Sequence, residues 1–165
     1  MAEKVKVNSK TVEYEGLFNV RELYKILDDW QKKNNYDKNE MESVEYVKPE
    51  GKHIEIHAEP YRKESDYVKF VMAIDIVMTN VKDVVVEIDG EKNNMNEGKV
   101  TIDFEAWLET DYEEHWQMKP GTYFLRILVD KYIYKLYTSR FSKRLAEELD
   151  EISNQVKSFL NLYKY

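Results

Sequence analysis

Cysteine is absent from this chain of 165 residues, which excludes a disulfide framework, a thiolate nucleophile and cysteine-ligated zinc. Glycine occurs five times and proline three times, too sparsely for a flexible linker. Neither a P-loop nor a dinucleotide-binding glycine pattern occurs. Basic residues are outnumbered, with 25 Lys and Arg against 32 Asp and Glu. The resulting net charge of −7 and pI near 5.1 argue against nucleic acid as a partner, because neutralising phosphates takes a basic surface. Long apolar runs are missing too. The stretch 70–78 is interrupted by Asp75, far short of the roughly 20 apolar residues of a membrane span. The opening MAEKVKVNSK has no apolar signal core. These absences describe a cytoplasmic protein without a membrane span and without a residue pattern for a metal or cofactor.

What is present suits one globular domain over residues 1–165. Hydrophobic residues make up 42% and charged residues 35%, enough for a core and a solvated surface. Tyrosine, with 13 copies, favours strand surfaces and pocket walls, where its ring is buried and its hydroxyl keeps a partner.

Residues 4–14 alternate apolar and polar side chains, the period of a strand. A helix start follows. Asn19 is placed to cap, Glu22 stands at the third helical position, and Phe18 and Leu23 are spaced as a hydrophobic staple. Val20, Leu23, Leu27 and Trp30 continue at helical spacing to about Lys33. Further strands are expected at 41–48, 53–59, 67–78, 84–89, 99–108 and 122–137, with DGEKNNMNEG as the loop after the fifth strand. Intervals this short imply antiparallel neighbours, since parallel ones need crossover helices. From about 139 a terminal helix carries one apolar stripe through Phe141, Leu145, Leu149, Ile152, Val156, Phe159 and Tyr163. The expectation is an α+β fold, a curved antiparallel sheet of about seven strands wrapped on a long C-terminal helix.

Split into two faces, the long strands present an apolar set that includes Val68, Phe70, Met72, Ile74, Ile76 and Met78, then Val84, Val86 and Ile88, then Val100, Ile102, Phe104, Ala106 and Leu108. Tyr123, Leu125, Ile127 and Val129 complete it on the last strand. The opposite face holds Lys69, Asp75, Glu87, Asp103, Glu105, Arg126 and Asp130, as expected of a watered surface. An interior so apolar is either a filled core or the wall of a hydrophobic pocket.

The order of strand 4–14, helix 19–33, meander 41–137 and the terminal TSRFSKRLAEELDEISNQVKSFLNLYKY resembles the helix-grip fold of START domains, Bet v 1 proteins and polyketide cyclase-like proteins. The resemblance spans nearly the whole chain as a pattern of elements. Two features depart from it: the turn KPEGK holds only Gly51 where the Bet v 1 group has a glycine-rich loop, and one helix stands where the family usually has two short ones. Membership would imply non-catalytic binding of a hydrophobic small molecule or lipid between the sheet and the C-terminal helix. Its walls would be Phe70, Met72, Ile74, Val86, Ile102, Phe104, Leu125 and Ile127, closed by Leu149, Ile152, Val156 and Phe159, with Tyr123 supplying one orienting hydrogen bond.

Other clusters have plainer readings beside functional ones. His53, Glu55, His57 and Glu59 share a strand face, but alternate residues about 6.6 Å apart do not converge on one ion. Trp107, Tyr112 and Trp116 are interleaved with Glu109, Asp111, Glu113, Glu114 and His115. That acidic aromatic stretch is local packing, a lid, or a surface for a protein partner. Lys131, Lys135, Arg140, Lys143 and Arg144 gather positive charge near the last helix, suited to an anionic group or to pairing with Glu147, Glu148, Asp150 and Glu151. Ser139 and Ser142 fit helix caps, and no nucleophile–histidine arrangement is apparent. Two alternatives to ligand binding stay open: an interaction module working through 107–116, and a cyclase-like or hydrolase-like enzyme using His115 and Glu114.

Overall fold

The computed structural model describes residues 3–38, 42–65, 67–110 and 134–162. Within them lie one antiparallel sheet of six strands and two helices, in the order β1 (Glu3–Phe18), α1 (Val20–Lys33), β2 (Glu42–Lys48), β3 (Gly51–Ala58), β4 (Tyr61–Lys63), β5 (Val68–Ile88), β6 (Glu91–Thr110) and α2 (Tyr134–Asn161). The sheet runs β1-β6-β5-β3-β2, with the short β4 alongside β5. The α+β class expected from the sequence is thus present, with the sheet at six strands among the described residues.

The expected boundary between strands at 67–78 and 84–89 is not a break. Both belong to β5, interrupted by a bulge between Thr79 and Lys82, where Asn80 takes φ +54°. Asparagine tolerates this left-handed backbone, which most residues avoid. Two glycines make room for it. A Cβ on Gly51 of β3 would lie 2.7 Å from the Asn80 carbonyl carbon, and one on Gly98 of β6 would lie 2.9 Å from the Thr79 oxygen.

The stretch DGEKNNMNEG is a turn and a strand rather than a loop. Asp89 and Gly90 both have positive φ, as a two-residue hairpin turn that follows sheet twist requires, and β6 begins at Glu91. Polar Asn93 and Asn94 are accommodated there because the ribbon they form with Val86 and Val85 extends beyond the last partners in β1 and β3.

The expected strand at 122–137 also changes. Tyr134 to Tyr137 are the first turn of α2, so Ser139 and Ser142 lie inside the helix rather than at its cap. The remainder of that strand, 122–133, lies outside the described residues.

α1 forms as its sequence signals. The Asn19 side chain accepts from the Glu22 N–H at 3.2 Å, and Asn96 of β6 accepts from the Val20 N–H at 3.1 Å, so two free donors of the first turn are satisfied. At the other end Tyr36 N–H donates to the Gln31 carbonyl at 2.9 Å and Asn35 N–H to Lys32 at 3.2 Å, with Asn35 at φ +59°. This is a Schellman ending, and its usual apolar contact is the stacking of Tyr36 on Trp30 at 5.1 Å.

The core lies between the sheet's inner face and the two helices. Phe70, Met72, Met78, Val100, Ile102, Phe104 and Ala106 supply the sheet side, each at 0% exposure. α2 packs across β1 and β6 and against α1, burying Leu145, Leu149, Ile152 and Val156. Each fully buried side chain of this size contributes about 1.5–3 kcal/mol. The opposite edge is bare, since every residue of β2 is exposed.

Candidate cavity beneath the first helix

Between α1 and the middle of the sheet lies a cavity of about 500 Å³. Its floor is apolar. Ile56 and Ala58 of β3, Pro60, and Ile74 and Ile76 of β5 form it, and Leu27 reaches down from α1. The floor residues share one face because the register pairs Ile56 with Ile76 and Ala58 with Ile74. Around the mouth stand Arg21, Tyr24, Lys25 and Asp28 of α1, with Lys38 just beyond the helix, and the buried Gln31 completes the lining. The helix sequence itself dictates this division, since Leu23, Leu27 and Trp30 turn to the core while Arg21, Lys25 and Asp28 follow at spacings of four and three.

Charge at the mouth is unevenly neutralised. Asp28 is bound by Lys32 at 2.8 Å and also by Lys38, and those bonds hold its carboxyl below the ordinary range. The Tyr24 phenol is pushed up, first by burial and then by the nearby charge of Glu45. Glu45 itself pairs with Lys52 at 3.6 Å. Arg21 and Lys25 form no ion pair among the described residues.

Of the walls named from the sequence, Ile74 lines this cavity. Phe70, Met72, Ile102, Phe104, Leu149, Ile152 and Val156 are each at 0% exposure in the packed layer beside α2, so no water-sized void borders them, and Phe159 is 9% exposed at its edge. Val86 is on the other face of the sheet. The extra residue in the bulge shifts the pairing from Thr79↔Lys99 to Lys82↔Glu97, so even-numbered residues past it point outward. Val84 and Ile88 turn with it. Tyr123, Leu125 and Ile127 lie outside the described residues.

Trp107 also faces outward. It pairs with Val71, opposite the cavity side, and its indole N–H donates to Glu105 at 3.1 Å beneath Lys6, whose Nζ is 5.6 Å from the ring. Tyr112, Trp116, Glu114 and His115 lie outside the described residues. His53 meets Glu55 at 2.9 Å, while His57 meets Asp75 at 2.5 Å and Glu59 at 3.2 Å. Among the described residues no three such groups are placed to hold a metal ion. Arg144, from the basic cluster, reaches Glu64 at 3.3 Å.

A second polar cluster was hidden from sequence reasoning. Arg62 of β4 bonds Glu64, meets Glu148 of α2 at 2.9 Å and donates to the Asn34 carbonyl at 2.6 Å. Its guanidinium lies 4.8 Å from the Tyr36 ring and 5.1 Å from that of Phe70. Burial, and then Glu148, push the Tyr36 phenol well above the usual tyrosine range. With every member paired, this cluster reads as a clamp between α1, β4 and α2.

Comparison with known proteins adds little to this geometry. No protein family matches the chain, and no curated protein matches it. A solved structure of an uncharacterized protein from Rhizobium leguminosarum aligns over 98% of each chain at 7% identity, with a TM-score of 0.23. A likeness that low carries no argument. No described helix is long and apolar enough to cross a membrane.

Proposed function

We propose that this protein binds a hydrophobic small molecule, without catalysing its conversion, in the cavity between α1 and the sheet. The observation that carries the reading is the combination of about 500 Å³ of space with an apolar floor of Ile56, Ala58, Pro60, Ile74 and Ile76. Pockets for drug-sized ligands span about 300–1,000 Å³ and share this make-up of apolar walls with a few polar groups at one end. Catalysis would need a nucleophile or a general base facing the bound molecule. The floor supplies neither, and Asp28 at the mouth is held by two lysines. The helix-grip resemblance in element order is compatible with a ligand-binding role, with the site under the first helix rather than the last.

The neutral probe N-phenylnaphthylamine tests this directly. The native protein is expected to give saturable, one-to-one fluorescence enhancement. Ala58→Phe, which fills the floor from a half-buried position, should remove it while leaving far-UV circular dichroism unchanged. No saturable signal with native protein, or an undiminished one with folded Ala58→Phe, would overturn the proposal.

A further inference from the structure

Resting on that reading, we infer that the ligand is an amphiphile with an anionic head group, a carboxylate, sulfonate or phosphate, received at the cavity mouth by Arg21 and Lys25. The two residues are one helical turn apart and both line the mouth. Like charges at this spacing repel, so a helix gains nothing by placing them together. They also run against the net charge of −7 carried by the whole chain.

Nearby acids do not account for the pair. Glu22 and Asp29, spaced along α1 to reach Lys25, form no ion pair with it among the described residues, Asp28 is taken by Lys32 and Lys38, and Glu45 pairs with Lys52. The mouth is therefore cationic on balance, with Arg21, Lys25 and Lys38 against Asp28 alone among its lining residues. Over an apolar floor, that arrangement fits a molecule with one charged end. Arginine offers a planar fork for two oxygens and lysine a mobile point charge, so together they accept an oxyanion from two sides.

The experiment compares two probes that differ by one anionic group: N-phenylnaphthylamine and anilinonaphthalene sulfonate. The variant is Arg21→Gln/Lys25→Gln, two exposed positions where glutamine keeps the helix. Sulfonate affinity should fall about tenfold, the loss expected from two partly solvated charge contacts, and neutral-probe affinity should stay level. Raising salt should erode the sulfonate's binding to native protein and leave the neutral probe unaffected. Arg21→Lys/Lys25→Arg should retain sulfonate binding. If the double glutamine variant binds both probes as native protein does, or loses both equally while folded, the head-group inference fails and the cavity reading stands. If native protein binds neither probe, both fail together. A parallel arm uses phosphatidylglycerol vesicles. Co-sedimentation of native protein, lost in the glutamine variant while sulfonate binding persists, would assign the two cations to a membrane surface and overturn the inference.

Discussion

The Tyr36 hydroxyl donates to Glu148 at 2.8 Å, across 112 positions of sequence. That bond joins the chain leaving α1 to the middle of α2, and Arg62 completes the junction by meeting the same carboxylate while lying over the Tyr36 ring. Its geometry supports the cavity indirectly. The clamp ties the end of α1 to α2 and β4, so the helix is held at that end without filling the space beneath it.

Breaking this clamp should be costly. Arg62 and Glu148 have side chains only 12% and 11% exposed, so Arg62→Met would leave Glu148 partly buried without its cation and Glu64 with Arg144 alone. Such losses cost about 3–5 kcal/mol. Adding Glu148→Gln should recover part of the loss, because the stranded charge is gone. A double-mutant cycle by urea unfolding checks this, and purely additive losses would show that the two residues do not act together.

Gly98→Ala tests the bulge that redirects the hairpin. A Cβ there would meet the Thr79 oxygen at 2.9 Å and the Asn80 oxygen and Val81 Cα at 3.1 Å, all backbone groups that cannot swing aside. We expect destabilisation of about 1–3 kcal/mol, as for other overpacked positions. A melting temperature unchanged from native would mean that the strands separate there at no cost.

His57 on the outer face should report pH. Its hydrogen bond to Asp75 is the main influence raising its pKa above 6.5, against a smaller opposing effect of burial, and Glu59 adds to the rise. A group whose pKa rises on folding stabilises fully below its unfolded value and loses that contribution as pH climbs through the folded one. The native protein should therefore lose a small increment of stability from about pH 6.5 upward. Asp75→Asn should shrink that change and bring the His57 titration by NMR down toward 6.5. An unshifted titration would remove Asp75 as the cause.

Much of the architecture was legible because local signals agreed with the fold. Asn19 and the Phe18–Leu23 staple marked the start of α1, and the Leu145–Leu149–Ile152–Val156 stripe marked α2. Period-two alternation revealed the inner face of β5 and β6. The same alternation misled past Thr79, because one inserted residue reverses every later side chain and Asn80 alone does not announce it. The Asp89–Gly90 pair did carry the hairpin signal, but the asparagines after it imitate a loop. The cavity stayed out of view for a different reason. It exists because α1 stands over β3 and β5, and its mouth is built from ordinary surface charges whose only trace in sequence is the four-residue spacing of Arg21 and Lys25. Arg62, Tyr36 and Glu148 are too far apart in the chain to suggest one another.

Asp28 offers the sharpest check on how the cavity mouth works. It is the one acid among the lining residues, and it holds Lys38 as well as Lys32. Asp28→Asn removes its negative charge and frees both lysines, one of which lines the mouth. Under the head-group inference, affinity for anilinonaphthalene sulfonate should rise about threefold to tenfold, within the 0.2–1 kcal/mol range of exposed pairs plus the removal of a like-charge repulsion. N-phenylnaphthylamine, which carries no charge, should bind as before. Stability should drop slightly, since Asp28 anchors two lysines at the end of α1. A variant that binds the sulfonate no better than native protein would show that charge at this mouth is screened by water before it reaches the ligand.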